Sequence, residues 1–205
     1  MSDVHAIAFR YLQNPHRFST YSERPQACAL CGETKPGYRG PFYGSGNAEF
    51  VCEGCLAAGK LAEQGLAAND GDVASLRRQL HDLNPALDEE RCERLVRERT
   101  TKLEQRTPHL VTWQDFGWPA HCGDYMRFIA EVGQPDLSAL AQDGDGQSFL
   151  ATHLHEQYRE QMPTAELWLS IRPDSPRENT NAYTVGVWLF QCLHCGTYVI
   201  LWDCE

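Results

Sequence analysis

Four cysteines near the amino terminus form two C-x-x-C pairs, Cys28 with Cys31 and Cys52 with Cys55. Two thiolates three positions apart on a tight turn can bind one ion from the same side, and two such turns complete a tetrahedron. Gly32 follows the first pair, where it can adopt positive φ and let backbone N–H groups point at the sulfurs. The spacing therefore predicts a zinc site. Four reduced thiols, or two disulfides, are the alternative.

The sequence around these pairs predicts the elements that hold them. Aromatic residues and glycines between the pairs, at 38–51, indicate a short hairpin. Apolar residues at Leu56, Leu61 and Leu66 indicate a helix that begins at the second pair, where a helix amino terminus favours thiolate. We therefore expect a treble-clef or GATA-like zinc module in a first domain, residues 1–68, which also contains an amino-terminal arm.

A second C-x-x-C-G sequence, Cys192 to Gly196, joins two β-rich runs at 183–190 and 198–202. This pattern predicts a zinc knuckle on a carboxyl-terminal β-hairpin, but Cys192 and Cys195 are only two ligands and zinc usually has four. Cys204 lies nine residues beyond Cys195 along a strand, about 30 Å away at ~3.3 Å per residue. This distance excludes Cys204 as a ligand of the same ion.

His121 and Cys122 are the better candidates to complete this second site. Adjacent residues rarely bind one ion comfortably, so His194 or water could replace one of them. Three free thiols are one alternative. Another is a catalytic zinc with an open position for water, where Asp124 or Asp203 would be the nearby base.

The rest of the chain predicts a largely helical second domain over residues 69–205, so that the fold class is α+β. Helical spacing of apolar residues predicts two helices between 72 and 106, the second amphipathic with dense mixed charge. Further helices are expected from Gly123 to Gly133 and over 148–162, with an acidic connection at 134–146.

Composition and charge limit the possible functions. The 205 residues are 42% hydrophobic and 22% charged, which is typical of a globular protein. The longest apolar runs are too short for a membrane helix, and the first residues lack a basic leader, so we expect a cytoplasmic protein without membrane contact. Nine cysteines, an odd number, favour reduced, metal-bound thiols over disulfides.

The formal net charge of −10 is unevenly distributed. Residues 111–205 hold four basic and thirteen acidic side chains, whereas residues 1–60 hold six basic and five acidic ones. Nucleic-acid binding depends on Lys and Arg, so this balance makes a nucleic-acid partner unlikely and favours a basic protein. The alternative is that the acidity only keeps the protein soluble.

Several short motifs together resemble one known family. They are CALCG, GPFY, CEGC, RTP, WPAHCGD, FQCLHCG and WDCE, and they cover most of residues 7–205. The chain resembles the CbrC family, bacterial cysteine-rich zinc proteins named for a role in colicin tolerance, some of which lie beside toxins. The resemblance implies one metal group of Cys28, Cys31, Cys52 and Cys55, and a second functional or metal cluster of His121, Cys122, Cys192 and Cys195.

The sequence thus leads to three hypotheses about function. The first is a non-enzymatic immunity protein that covers the active site of a cognate antibacterial toxin, a nuclease with a basic cleft. It rests on the acidity, on the lack of a recognisable catalytic constellation and on the resemblance. The second is a zinc-finger regulator that binds nucleic acid, and the third is a zinc-dependent hydrolase.

Overall fold

The computed structural model describes residues 7–174 and 185–204, and it confirms a mixed α+β fold with eight α-helices in those residues. The chain forms two compact units. Unit 1 comprises residues 1–111 and 116–127, and unit 2 comprises residues 112–115 and 128–205. The domain division after residue 68 stays a prediction. In the described residues, no helix has the length and apolar character needed to cross a membrane.

Unit 1 begins with a short helix and a small antiparallel sheet. The elements are α1 (Pro15–Phe18), β1 (Tyr21–Ala27), β2 (Thr34–Arg39), β3 (Tyr43–Gly44), β4 (Phe50–Cys52) and β5 (Leu66–Ala67). The sheet order is β1-β2-β4, and β3 pairs with β5. Gly37 lies opposite Cys52, and a Cβ at this glycine would meet the Val51 carbonyl oxygen at 2.3 Å. The predicted hairpin between the cysteine pairs is therefore confirmed, and it needs a glycine at its centre.

The helices of unit 1 agree with the prediction in two cases and differ in one. Helices α3 (Val73–Leu83) and α4 (Glu89–Arg106) are confirmed, with Asp72 and Asp88 as their amino-terminal caps. The helix after Cys55 is shorter than expected: α2 (Glu53–Ala57) is followed by a 3-10 turn, Lys60–Gln64. Gly59 separates them because it has a φ of 78°, outside the helical region.

The helix predicted from Gly123 to Gly133 is wrong. This segment forms β7 (Asp124–Tyr125), which pairs with β6 (Ala120–His121), and then β8 (Arg127–Glu131). Residues Cys122 and Gly123 both have positive φ, which makes a tight hairpin turn and prevents a helix from starting there. The buried Phe128 and the β-branched Ile129 favour the strand that follows.

Unit 2 contains four helices and the sheet β10-β9-β8. The elements are α5 (Gln134–Leu140), α6 (Gly146–His153), α7 (Glu156–Arg159), α8 (Thr164–Ser170), β9 (Val185–Gln191) and β10 (Tyr198–Cys204). Helix α6 contacts β10, α5 and α8. Antiparallel pairing of β9 with β10 confirms the carboxyl-terminal hairpin; predicted positions 183 and 184 lie outside the described residues.

Two other predictions for unit 2 need correction. Helix α5 occupies the first half of the predicted connection at 134–146, because Asp136 accepts a hydrogen bond from the Gly133 N–H and caps its start. The helix predicted over 148–162 is broken at Leu154, which forms a bridge with Ile200, and the His155 N–H donates to the Ile200 carbonyl. Tertiary hydrogen bonds to β10 thus replace helical ones.

Candidate metal centres

The first cysteine pair lies on the turn between β1 and β2. The Cys28 sulfur accepts a hydrogen bond from the Leu30 N–H at 3.4 Å, and the Gly32 N–H donates to the Cys28 carbonyl at 2.8 Å. The Cys28 N–H in turn donates to the Glu33 carbonyl. Gly32 has a φ of 74°, as its place after the pair predicts. The turn is a knuckle in which backbone donors surround a sulfur.

The second pair is presented by a strand end and a helix start. Cys52 is both the last residue of β4 and the amino-terminal cap of α2, and Cys55 lies on the first turn of that helix, as expected. The Cys52 N–H also donates to the Cys28 sulfur at 3.3 Å. Strand pairing and helix start therefore bring the second pair of sulfurs to the knuckle.

The four sulfurs have the spacing of a tetrahedral metal site. The candidate ligand atoms of Cys28, Cys31, Cys52 and Cys55 all lie within 4.8 Å of one another. The sulfurs of Cys31 and Cys52 are 3.8 Å apart. A tetrahedron with zinc–sulfur bonds of about 2.3 Å has sulfur–sulfur edges of about 3.8 Å. The residues present therefore fit a tetrahedral metal ion.

The thiols of this group differ in how easily they lose a proton. Burial opposes ionisation of Cys28, but N–H donors from Cys52, Leu30 and Cys31 outweigh it and lower its pKa to about 7. Burial and the neighbouring sulfurs raise the pKa of Cys55, and burial is the main cause of a raised pKa at Cys52. Without a cation, the group therefore favours one thiolate, and a divalent ion would supply the charge that ionises the others.

The second C-x-x-C-G sequence forms the same knuckle on the turn between β9 and β10. The His194 N–H donates to the Cys192 sulfur at 3.4 Å, the Gly196 N–H donates to the Cys192 carbonyl, and the Cys192 N–H donates to the Thr197 carbonyl. Gly196 has a φ of 75°. All three hydrogen bonds and the left-handed glycine occur at the same relative positions as in the first knuckle.

His121 and Cys122 lie at the tip of the β6–β7 hairpin, where Cys122 has a φ of 52°. A non-glycine residue at positive φ is uncommon and is often found at functional sites. Gln79 of α3 supports this tip, because it accepts a hydrogen bond from the Gly123 N–H and donates one to the Ala120 carbonyl. The sequence did not indicate Gln79, because its position on α3 does not reveal a contact with a turn 41 to 44 residues later in the chain.

The structure contains a second group of candidate ligands, His121, Cys122, Cys192 and Cys195, whose ligand atoms all lie within 4.8 Å of one another. The group includes both adjacent residues, and neither His194 nor Cys204 belongs to it. Two Cys and His groups in the described residues could therefore hold metal ions. That these eight side chains do bind metal stays a prediction.

The two aspartates considered as bases have other contacts. Asp124 accepts hydrogen bonds from the Arg10 guanidinium at 2.6 Å and the Tyr11 hydroxyl at 2.7 Å. Burial opposes its ionisation, but Arg10, Tyr11 and Arg99 outweigh that effect and lower its pKa. Asp203 accepts from the N–H groups of residues 113 and 114, and burial raises its pKa. Both carboxylates are thus used to hold backbone and neighbouring side chains.

Comparison with known proteins identifies the relatives of this chain. It is 24% identical to UPF0167 protein PA1536 of Pseudomonas aeruginosa over 92% of this chain and 91% of the relative. It is 25% identical to UPF0167 protein Mb2317 of Mycobacterium bovis, and equally to UPF0167 protein MT2352 of Mycobacterium tuberculosis, over 95% of this chain and 91% of each relative. No solved structure matches it.

The assignment to the CbrC family is wrong. The family that matches, over residues 7–204, is the one described as "Uncharacterised protein family (UPF0167)", and the curated relatives bear the same family name. The motifs quoted from the sequence are short and rich in cysteine, which many metal-binding proteins share. The chain belongs to the UPF0167 family.

Proposed function

We propose that this is a zinc-binding protein in which both groups of ligands hold a structural ion. The support for zinc is the tetrahedral spacing of the four sulfurs in the first group and the repetition of one knuckle in both groups. Thiolates with one histidine are typical ligands of structural zinc, which is four-coordinate. The order knuckle, hairpin, second pair and helix is that of a treble-clef or GATA-like module.

The proposed role is non-enzymatic binding of a basic protein in the cytoplasm, and the partner we propose is a nuclease toxin that this protein inhibits. The observation that carries it is the distribution of charge between the units. Unit 2 has twelve acidic and three basic side chains, a net of −9, so nearly all of the net charge of −10 belongs to this unit. An acidic surface of this kind increases the association rate with a basic cleft.

A hydrolase has less support. A metal-bound water needs a carboxylate that is free to accept its proton, and Asp124 instead has a lowered pKa and contacts to Arg10 and Tyr11. A nucleic-acid-binding regulator is also disfavoured, because unit 1 has no surplus of basic side chains: fifteen against sixteen acidic ones.

Two measurements test the proposal. Elemental analysis of the purified protein should give two zinc ions per chain, and less than one would overturn the zinc assignment. For the partner, the product of the neighbouring gene should bind directly, and co-expression should protect cells from it. Failure of both binding and protection would overturn the immunity role.

Matched charge reversals make the second test specific. Exposed glutamates of unit 2 are changed in one triple variant, Glu156→Lys, Glu160→Lys and Glu166→Lys. Exposed glutamates of unit 1 are changed in the control, Glu23→Lys, Glu49→Lys and Glu63→Lys. We expect the association rate to fall at least about tenfold at low salt in the unit 2 variant only. Equal effects of the two variants would show that the acidic unit is not the interface.

A further inference from the structure

An open groove of about 700 Å³ runs along the amino-terminal arm within unit 1. Ligand pockets commonly have volumes of about 300–1,000 Å³ and combine apolar walls with a few polar groups. The groove has this composition, and it contains none of the proposed metal ligands. Its lining residues are Ile7, Ala8, Phe9, Leu12, Gln13, Asn14, Pro15, His16, Arg17 and Arg127.

One lining residue of the groove, Arg127, offers a cation, and none of the ten lining residues is a carboxylate. The Nε of Arg127 donates to the Arg10 carbonyl at 2.9 Å, which fixes the guanidinium, and among the described residues its two terminal nitrogens have no hydrogen-bond partner. A fixed guanidinium with two unused donors matches a carboxylate or phosphate.

Two carboxylates among the described residues of unit 1 have partners other than Arg127. Asp124 binds the Arg10 guanidinium and the Tyr11 hydroxyl. Glu53 binds the His16 ring and the Tyr38 hydroxyl, both at 3.2 Å. Among the described residues, neither carboxylate thus occupies the terminal nitrogens of Arg127.

The wall of the groove is apolar and held in place. Phe9 and Leu12 are 7% and 1% exposed, and the Phe9 ring packs edge-on against Tyr38 at 5.9 Å between centroids. Ile7, Ala8 and Pro15 extend this wall. An apolar chain placed along it would remove from water its own surface and the exposed surface of Ile7, Ala8 and Pro15, with Phe9 and Leu12 packed beneath them.

We propose that the groove binds a small anionic amphiphile, a molecule with one carboxylate or phosphate group and an apolar chain. The terminal nitrogens of Arg127 bind the anionic group, and the apolar chain lies along Ile7, Ala8 and Pro15. This site is independent of the metal centres and of the proposed protein partner.

The test is a titration of the full-length, metal-loaded protein followed by NMR of backbone amides. The probes are dodecanoate, dodecyl phosphate, dodecanol and inorganic phosphate, all below micelle-forming concentrations. We expect dodecanoate or dodecyl phosphate to shift the amides of Leu12 and His16 in a saturable way, and the tighter of the two shows which anionic group the site prefers. Dodecanol and inorganic phosphate should bind at least about tenfold more weakly.

Variants separate this site from nonspecific charge effects. Arg127→Gln should weaken the binding of the preferred amphiphile about tenfold, the loss expected for one charge-assisted contact. Arg24→Gln, at an exposed arginine of β1 outside the groove, should leave it unchanged. Equal weakening by both variants, shifts outside the arm, or equal binding of dodecanol would each overturn the proposal.

Discussion

The two units of this protein contain the same C-x-x-C-G knuckle in different electrostatic surroundings. The knuckles at Cys28 and Cys192 share three backbone hydrogen bonds and a left-handed glycine. Yet unit 1 has a net charge of −1 and unit 2 has a net charge of −9. The knuckle therefore depends on backbone geometry and not on the charge of its unit. The acidity of unit 2 needs another explanation, and the basic partner proposed above would provide one.

The units also differ in how their charges are used. Unit 1 pairs many of its carboxylates with arginine or lysine, as in Arg77 with Glu93 and Lys102 with Glu98. In unit 2, Arg172 pairs with Asp174, but Asp145 and Asp136 instead accept backbone N–H groups at helix starts. The composition of the units differs in the same direction: unit 1 has fifteen basic side chains against sixteen acidic ones, whereas unit 2 has three against twelve.

The largest predicted effect comes from removing the central ligand of the first knuckle. Cys28→Ser should reduce the zinc content by one ion per chain, and the free energy of unfolding should fall by several kcal/mol because structural zinc contributes directly to folding. Thermal unfolding of the variant with elemental analysis would measure both. Zinc chelation should destabilise the wild-type protein in the same way.

Cys92→Ala is the matched control for that substitution. Cys92 is fully buried on α4 and belongs to neither group of ligands. Its loss should cost about 1–2 kcal/mol through the cavity it leaves, with no change in zinc content. Retention of all zinc by Cys28→Ser would contradict the assigned site.

The next largest effect is expected at Asp124, which forms ion pairs with two arginines of unit 1, Arg10 and Arg99. Asp124→Asn should lower the free energy of unfolding by about 3 kcal/mol at pH 7, because Arg10 and Arg99 lose their charged partner. Its pKa is lowered on folding, so its stabilising contribution is present above the unfolded pKa and is lost as pH falls through the folded value. The difference from wild type should therefore shrink below about pH 4 in denaturant titrations. If the difference in unfolding free energy between wild type and variant stays constant from pH 3 to pH 7, the loss of stability is not caused by the charge of Asp124.

Local patterns in the sequence were sufficient for the knuckles and the capped helices. The C-x-x-C-G spacing, the helical spacing of apolar residues between 72 and 106 and the β-rich runs each depend on residues close together in the chain, and the structure has the corresponding elements. The C-x-x-C pairs among the candidate ligands were recognisable for the same reason, because each pair is local in the sequence.

Elements that depend on distant partners could not be predicted in this way. Residues 127–131 have an apolar pattern that suits a helix, but they pair with β9, some 60 residues later in the chain. The break at Leu154 depends on a bridge to Ile200. The same limit applies at the site, where the contacts of Gln79 and of Arg10 follow from the packing of separate segments.

A smaller effect, of the opposite pH dependence, is expected at Asp203 in unit 2. Burial raises its pKa, so this group's contribution to stability is present below the unfolded pKa and is lost as pH rises through the folded value. Asp203→Asn keeps an oxygen to accept the N–H groups of Trp113 and Gln114 but removes the buried charge. We expect the free energy of unfolding of the variant to lie within about 1 kcal/mol of the wild-type value at pH 7. The stability of the variant relative to wild type should increase as the pH rises. A loss that grows with pH would show that the charged form is stabilising.

The smallest effect is expected at a surface ion pair of unit 1, Lys102 with Glu98 at 2.6 Å. The two residues are four positions apart on α4, and their side chains are 42% and 56% exposed. Exposed pairs of this kind contribute little to stability, and salt screens them. Lys102→Met should therefore lower the free energy of unfolding by less than any other substitution described above at low salt, and the loss should shrink further at about 1 M salt. A larger loss of unfolding free energy that does not depend on salt would mean that the aliphatic part of the Lys102 side chain packs on neighbouring residues. Burial, and not charge pairing, would then be the contribution of this lysine to unit 1.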